Sequence, residues 1–244
     1  MSQPIIIIMA GGLGKRMYSN IPKVLHKIKN KPMIVKIIET SLKLNPDKIL
    51  IVVGKYKDII KEEISKYLKL DNIQFIDQIV PRGTGDAIMS CRSFLQDYKN
   101  KSVLILSGDV PLVSIDTLKN TLDNLNKVKI VTSQVDNPFG LGRIKIENNS
   151  FVEIIEEKDC NNEEKKINII NSGIYAFNSE ILCKYLPYIE NNNKQNEYYL
   201  TDIIKIIKDN EKINIDMLVI EKDRHYEILG VNTQEQLDYL NTIV

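Results

Sequence analysis

At 244 residues, 43% hydrophobic and 27% charged, the chain has the balance of a globular protein sized for one large α/β domain or two small ones. A net charge of +1 gives no bulk attraction for polyanions, and no apolar stretch approaches the roughly 20 residues of a membrane span. Cys91, Cys160 and Cys183 are far apart, without a CxxC pair. With only His26 and His225 besides, they make no zinc spacing and fit a reducing compartment.

The first element is the run Ile5–Met9. Four consecutive isoleucines leave no polar face, which suits a strand buried on both sides of a sheet. Strands are then expected at Lys48–Val53, Ile73–Asp77, Val103–Leu106 and Lys129–Ser133. Helical spacing falls between them at Met33–Leu44, Lys57–Leu68, Gly85–Leu95 and Ser114–Leu125. Such alternation predicts a doubly wound, mainly parallel sheet. From Arg143 the pattern changes to short antiparallel strands at Arg143–Glu147, Phe151–Glu156, Ile167–Ile170 and Gly173–Asn178. Helices at Leu200–Lys208 and Thr233–Thr242 follow, with a strand near Ile213–Ile220 between them. With no repeat or linker, residues 1–244 read as one domain carrying an inserted β lobe. No leader pattern precedes the first strand, so no signal peptide is expected.

Three loops would emerge at the carboxyl ends of these strands, where open α/β sheets bind ligands. GGLGKR after the first strand departs from the Walker loop, because no Ser or Thr follows Lys15. It departs from the dinucleotide fingerprint too, because Met17 replaces the last glycine. Two readings stay open for it: a backbone cradle for an anion, or a tight βα turn. No carboxylate precedes Glu39, so Arg16 and Lys23 fall in an all-basic stretch. They are candidates for phosphate contact, while the other lysines suit a solvated surface. LSGDVPLV brings Asp109 to the same edge, where a carboxylate can hold Mg²⁺ that completes its shell with water and phosphates. The competing reading of Asp109 is a turn residue before Pro111. QIVPRGTGDA adds Gly83 and Thr84 as a third loop.

AGGLGKRM with PKVLH, then RGTGDAI, LSGDVPL, FGLGRI, EEKD, INSGIY, NEYYLTDII and GVN occur here in one order. This series resembles the uridylyltransferase domain of bacterial bifunctional N-acetylglucosamine-1-phosphate uridylyltransferase/glucosamine-1-phosphate acetyltransferases, from about Ile5 to the last helix. The resemblance implies a Rossmann-like, doubly wound mixed sheet of the nucleotide-diphospho-sugar transferase type, with residues 1–135 mainly nucleotide-binding and 136–244 mainly sugar-binding. It also implies roles at matching positions. Met9, Ala10, Gly11 and Gly12 would line the nucleotide, and Gln78, Gly83 and Thr84 would hold uracil. Arg16 and Lys23 would face the phosphates. Ser107, Gly108 and Asp109 would border the ribose and metal, with Asp109 and Asn232 as ligands of Mg²⁺. Gly142, Glu156, Asn171, Tyr199 and Thr201 would contact the N-acetylated sugar. The sequence departs from the family at Pro81, usually a second glutamine, at Ser107, often aromatic, and at Lys15, commonly threonine. It has no hexapeptide repeat of the family's acetyltransferase part, so that second activity is not expected.

The implied reaction is UTP plus N-acetylglucosamine 1-phosphate giving UDP-N-acetylglucosamine and pyrophosphate, in the cytoplasm and with Mg²⁺ as cofactor. The rivals are transfer to another sugar phosphate such as glucose 1-phosphate, and a catalytically inactive nucleotide-sugar-binding protein. No aromatic residue lies within Lys23–Lys36 to stack on bases, so nucleic acid is not expected as a partner. Neither is a membrane, and self-association is left open.

Overall fold

The computed structural model describes residues 3–12, 14, 17, 19 and 21–243. The first half comprises β1 (Ile5–Met9), a hairpin of β2 (Lys27–Ile28) and β3 (Lys31–Pro32), α1 (Met33–Leu42), β4 (Lys48–Val53), α2 (Lys57–Ser65) and β5 (Ile73–Asp77). It continues with α3 (Thr84–Met89), α4 (Arg92–Leu95), β6 (Ser102–Ser107), α5 (Ile115–Leu122) and β7 (Val128–Gln134). The second half holds β8 (Arg143–Glu147), β9 (Ser150–Ile155), β10 (Ile169–Asn178), α6 (Ser179–Tyr185), α7 (Asp202–Glu211), β11 (Asp216–Ile220) and α8 (Gln234–Ile243).

The isoleucine run is the middle of the sheet. β1 pairs in parallel with β4 and β6, with Ile7 opposite both Leu50 and Ile105. Ile5 to Ile8 are all fully buried, and their side chains alternate between the two faces. Ile6 and Ile8 join the core formed with α1, α2 and α5, whereas Ile5 and Ile7 join the core formed with α3, α4, α6 and α7. Each side chain so buried contributes about 2 kcal/mol of apolar transfer, and no position in the run tolerates a polar residue.

The strand order is β11-β7-β10-β6-β1-β4-β5. The sheet is mainly parallel, as expected, and is made mixed by β10, which runs antiparallel to both β6 and β7. The reason lies in the inserted lobe. The β8–β9 hairpin follows β7, and β10 starts opposite Gln134, so the chain re-enters the sheet from its carboxyl edge and must run backwards. β10 is also continuous where two strands were expected. A register shift between Asn171 and Tyr175 absorbs Ser172 and Gly173, the latter at φ +77°. Conversely, the expected helix Gly85–Leu95 is broken into α3 and α4. Ser90 Oγ donates back to the Asp86 carbonyl at 3.1 Å and Cys91 N–H bonds Ile88 instead, which tightens and ends the first segment. Among the described residues, no helix is long and apolar enough to cross a membrane.

Candidate active site

The carboxyl edge of the sheet carries a cleft of about 540 Å³. Met9, Ala10, Gly11, Gly12, Lys23, Gln78, Gly83, Thr84, Ser107 and Asp109 all line it, so the structure gathers these expected nucleotide-side residues in one place. Gly108 lies behind them. Its N–H donates to Met9 O at 2.8 Å, and a Cβ there would sit 2.9 Å from that oxygen, so only glycine lets β6 close against β1. Arg16 and Lys15 lie outside the described residues.

Lys23 follows Pro22 in a short 3-10 turn. Gly14, at φ +59°, lies against it: a Cβ there would be 2.7 Å from Lys23 Cβ. The Lys23 ammonium pairs with Asp109 Oδ2 and donates to Asn232 Oδ1 at 3.1 Å. Asp109 Oδ1 in turn accepts from Ser107 Oγ at 2.6 Å. Burial pushes the Asp109 carboxyl up, but Lys23 and Ser107 outweigh it and leave the group below its ordinary value. Thus Lys23 does not project freely toward a phosphate; it lies between the two residues expected to ligate metal. Two oxygen acceptors from distant loops converging on one cation are the donor chemistry of a hard divalent ion. No group of three or more His, Cys, Asp or Glu is placed for a metal among the described residues.

The expected sugar-side residues form a neighbouring cluster. Asn171 N–H donates to Gly142 O at 2.9 Å, and a Cβ on Gly142 would lie 3.4 Å from Asn171 Cβ and 3.5 Å from Glu156 Oε2. Thr201 Oγ1 donates to Glu156 Oε1 at 3.0 Å, and Asn171 Nδ2 donates to Tyr175 Oη at 2.7 Å. Burial raises the Glu156 carboxyl, against the opposing bond from Thr201. Tyr199 is only 6% exposed, accepts from Gln195 Nε2 at 2.9 Å, and has its phenol pushed up by burial. With Glu156, Asp159 and Asp202 it lines a second hollow of about 310 Å³ rather than the cleft itself.

One short segment joins the two clusters. Glu197 lines the cleft, Tyr198 N–H donates to Arg82 O at 2.8 Å, Gly85 N–H donates to Tyr198 O at 2.7 Å, and Leu200 N–H donates to Thr84 Oγ1 at 3.0 Å. Thr201 then reaches Glu156.

Sequence reasoning missed several residues here. Glu197 lines the cleft, beside Pro81, which was noted only as a departure from the family, and Asp86 holds Gln78. Glu227, 1% exposed, fastens the segment leading to Asn232. Asp86 stood inside a quoted motif without a role; for Glu227 no local pattern signals its burial.

A family profile described as nucleotidyl transferase matches residues 5–223. The chain belongs to the nucleotidyl transferase family. A nucleotidyl transferase relative of Acanthamoeba polyphaga mimivirus, named "Probable UDP-N-acetylglucosamine pyrophosphorylase", is 44% identical over 243 residues, covering 98% of this chain and 95% of its own. The bifunctional protein GlmU of Francisella tularensis subsp. holarctica (strain OSU18) is 42% identical over 242 residues. This chain spans 51% of that longer protein. A solved structure of a UDP-glucose pyrophosphorylase complexed with UDP-glucose superposes with a TM-score of 0.76 at 17% identity, covering 99% of this chain and 98% of that one. At that identity the likeness establishes the nucleotide-diphospho-sugar transferase fold and nothing finer. The expected fold class and family both hold.

Proposed function

We propose that this nucleotidyl transferase moves UMP from UTP to N-acetylglucosamine 1-phosphate, releasing pyrophosphate. The observation that carries the reading is the Glu197–Thr201 segment, which reaches from the cleft wall to Glu156 and so joins the cleft to the polar cluster beside it. The relative named "Probable UDP-N-acetylglucosamine pyrophosphorylase" matches at 44% identity over nearly its whole length, and the bifunctional protein GlmU at 42% over 51% of its own.

In the proposed reaction an oxygen of the sugar phosphate forms a bond to the α-phosphorus of UTP. The bond from that phosphorus to the oxygen bridging the β-phosphate breaks, and pyrophosphate departs with the electron pair. The attacking phosphate is already ionised, so no side chain need remove a proton. What the chain supplies is alignment of two anions and fixed positive charge, the main sources of rate in phosphoryl transfer. Gly11 and Gly12 leave the backbone accessible to the nucleotide. Lys23 lies within reach of Asp109 and Asn232, and shifts its ammonium to phosphate oxygens when substrate enters. Asp109 and Asn232 would hold Mg²⁺, which when bound neutralises developing phosphate charge. Arg16 is proposed as a second phosphate contact. Gly142, Glu156, Asn171 and Thr201 would receive the sugar hydroxyls and acetamido group, with Tyr199 packing beside them. Three free thiols, two of them buried, favour a reducing, cytoplasmic setting.

The test is pyrophosphate release. The proposal expects release only when UTP, Mg²⁺ and N-acetylglucosamine 1-phosphate are all present; release that needs no sugar phosphate, or none at all, overturns it.

A further inference from the structure

Gln78 is 6% exposed, lines the cleft and leaves β5 toward the RGTG loop. Its Nε2 donates to Gly83 O at 3.1 Å and to Asp86 Oδ2 at 2.8 Å. Both partners are acceptors only, a carbonyl and a carboxylate, so the amide has a single satisfied orientation. Turning it over would set the amide oxygen against two other oxygens in a nearly closed site. Arg82 holds Asp86 in this job from the far side. Its Nη2 and Nε donate to Asp86 Oδ1 at 2.7 and 3.1 Å, and its guanidinium lies 5.4 Å from the ring centre of Tyr198. The Asp86 side chain is only 10% exposed, so water competes poorly for it.

With Nε2 committed, Gln78 Oε1 points the other way. It lies on the Gly11 side: a Cβ on Gly11 would be 3.1 Å from it. Among the described residues none donates to Oε1. The cleft therefore offers, beside the glycine loop, an oxygen that can only accept.

We propose that Asp86 is a positioning residue that fixes the sense of the Gln78 amide and thereby makes the base pocket select an imide N–H. The inference rests on the uridylyl-transfer reading above. A uracil placed against Gln78 presents N3–H, a donor, to Oε1. Cytosine in the same pose presents the N3 lone pair, and two acceptors then face each other without water between them. Thymine keeps the N3–H and passes. Selectivity at this point comes from Asp86 through Gln78, not from the amide alone, because an unrestrained glutamine amide accommodates either base by turning over. Pro81 strengthens the dependence, since it has no polar side chain to supply a second reading of the base edge.

The experiment measures binding of UTP and CTP to the purified protein by calorimetry, and kcat/KM for both with N-acetylglucosamine 1-phosphate. Wild type, Asp86→Asn and Asp86→Glu are compared, with melting temperatures alongside. Asparagine fills the same space but its amide can donate to a turned Gln78, whereas glutamate keeps an acceptor-only partner. Wild type is expected to favour UTP by about a hundredfold or more. Asp86→Asn should shrink that ratio at least about tenfold, and Asp86→Glu should restore much of it. N3-methyl-UTP, lacking the imide proton, should bind wild type at least about a hundredfold more weakly than UTP, a result that needs no variant to fold. If wild type prefers UTP but Asp86→Asn keeps the full ratio, or if N3-methyl-UTP binds as UTP does, the Asp86 assignment is overturned and the uridylyl reading stands. If wild type binds no UTP, both fall.

Discussion

Gly83 and Tyr198 meet backbone to backbone. At φ +119°, Gly83 faces the Tyr198 peptide so closely that a Cβ would lie 2.5 Å from its carbonyl oxygen and 2.8 Å from its nitrogen. That contact joins the RGTG loop to the NEYYLT segment, and hence the nucleotide cleft to the Glu156 cluster. Gly83→Ala adds both the clash and the penalty of a left-handed backbone at a residue with a side chain, about 1–3 kcal/mol for the strain alone. The expected result is a lower melting temperature together with weaker UTP binding and weaker sugar use. A variant that melts like wild type would contradict the join.

Glu227 performs a similar office on the side of Asp109 and Asn232. Its carboxylate accepts from Thr117 Oγ1 at 2.6 Å, Ser114 N–H at 3.0 Å and Arg224 Nε at 2.6 Å. Ser114 caps α5, which follows the Asp109 loop, while Glu227 precedes the Asn232 loop; Val231 N–H donates to Asp109 O at 2.9 Å between them. Removing the carboxylate leaves these donors and Arg224 without it, a loss of about 3 kcal/mol for Glu227→Ala. Burial raises the Glu227 carboxyl, yet the bonds from Thr117, Ser114 and Arg224 outweigh it and the net shift is downward from 4.5. A lowered folded value means the contribution is complete above about pH 4.5 and fades as pH falls through the folded value. Urea titrations should therefore show a wide stability gap between wild type and Glu227→Gln at pH 7 that narrows below pH 4. A gap that widens on acidification would reverse the sign.

Lys23 and Asp109 should separate in how they fail. Asp109→Asn removes the carboxylate proposed to hold Mg²⁺, and pyrophosphate release should drop at least about a hundredfold. Lys23→Ala should cost comparable turnover, but it also leaves Asp109, 13% exposed, without its cation in the free protein. That loss is about 1–3 kcal/mol and should appear as a lower melting temperature without metal. Added Mg²⁺ should raise the melting temperature of Lys23→Ala more than that of wild type, since the ion would take up the two oxygens the ammonium leaves. An unchanged melting temperature, with or without Mg²⁺, would show that the pair carries no such load.

Much of this was legible in the sequence because buried strands advertise themselves. Ile5–Met9 and Lys48–Val53 fall where continuous apolar runs put them. The glycine and aspartate loops are equally visible, since each follows such a run. Long-range bonds are what the sequence hides. Nothing near Ser90 announces that its hydroxyl turns back to Asp86 and ends α3, or that Asn171-Ser172-Gly173 is a bulge tied by Ser172 Oγ to Val131 O at 2.7 Å rather than a loop. Likewise Lys23 and Asp109 stand out in the sequence as candidates, and Asn232 does so through the family resemblance, but nothing there shows that the lysine lies between the other two. Glu227 was not readable at all, because its partners at Ser114 and Thr117 lie far away in the chain.

The most direct measurement is a comparison of N-acetylglucosamine 1-phosphate with glucose 1-phosphate, each with UTP and Mg²⁺, with the nucleotide-sugar product identified by mass. A pocket built around an acetamido group leaves polar atoms unpaired when that group is missing, about 1–3 kcal/mol each. The account predicts UDP-N-acetylglucosamine as product and at least about a tenfold advantage in kcat/KM for the N-acetylated sugar, with the advantage reduced in Tyr199→Ala. Equal use of the two sugars, or preference for glucose 1-phosphate, would contradict it.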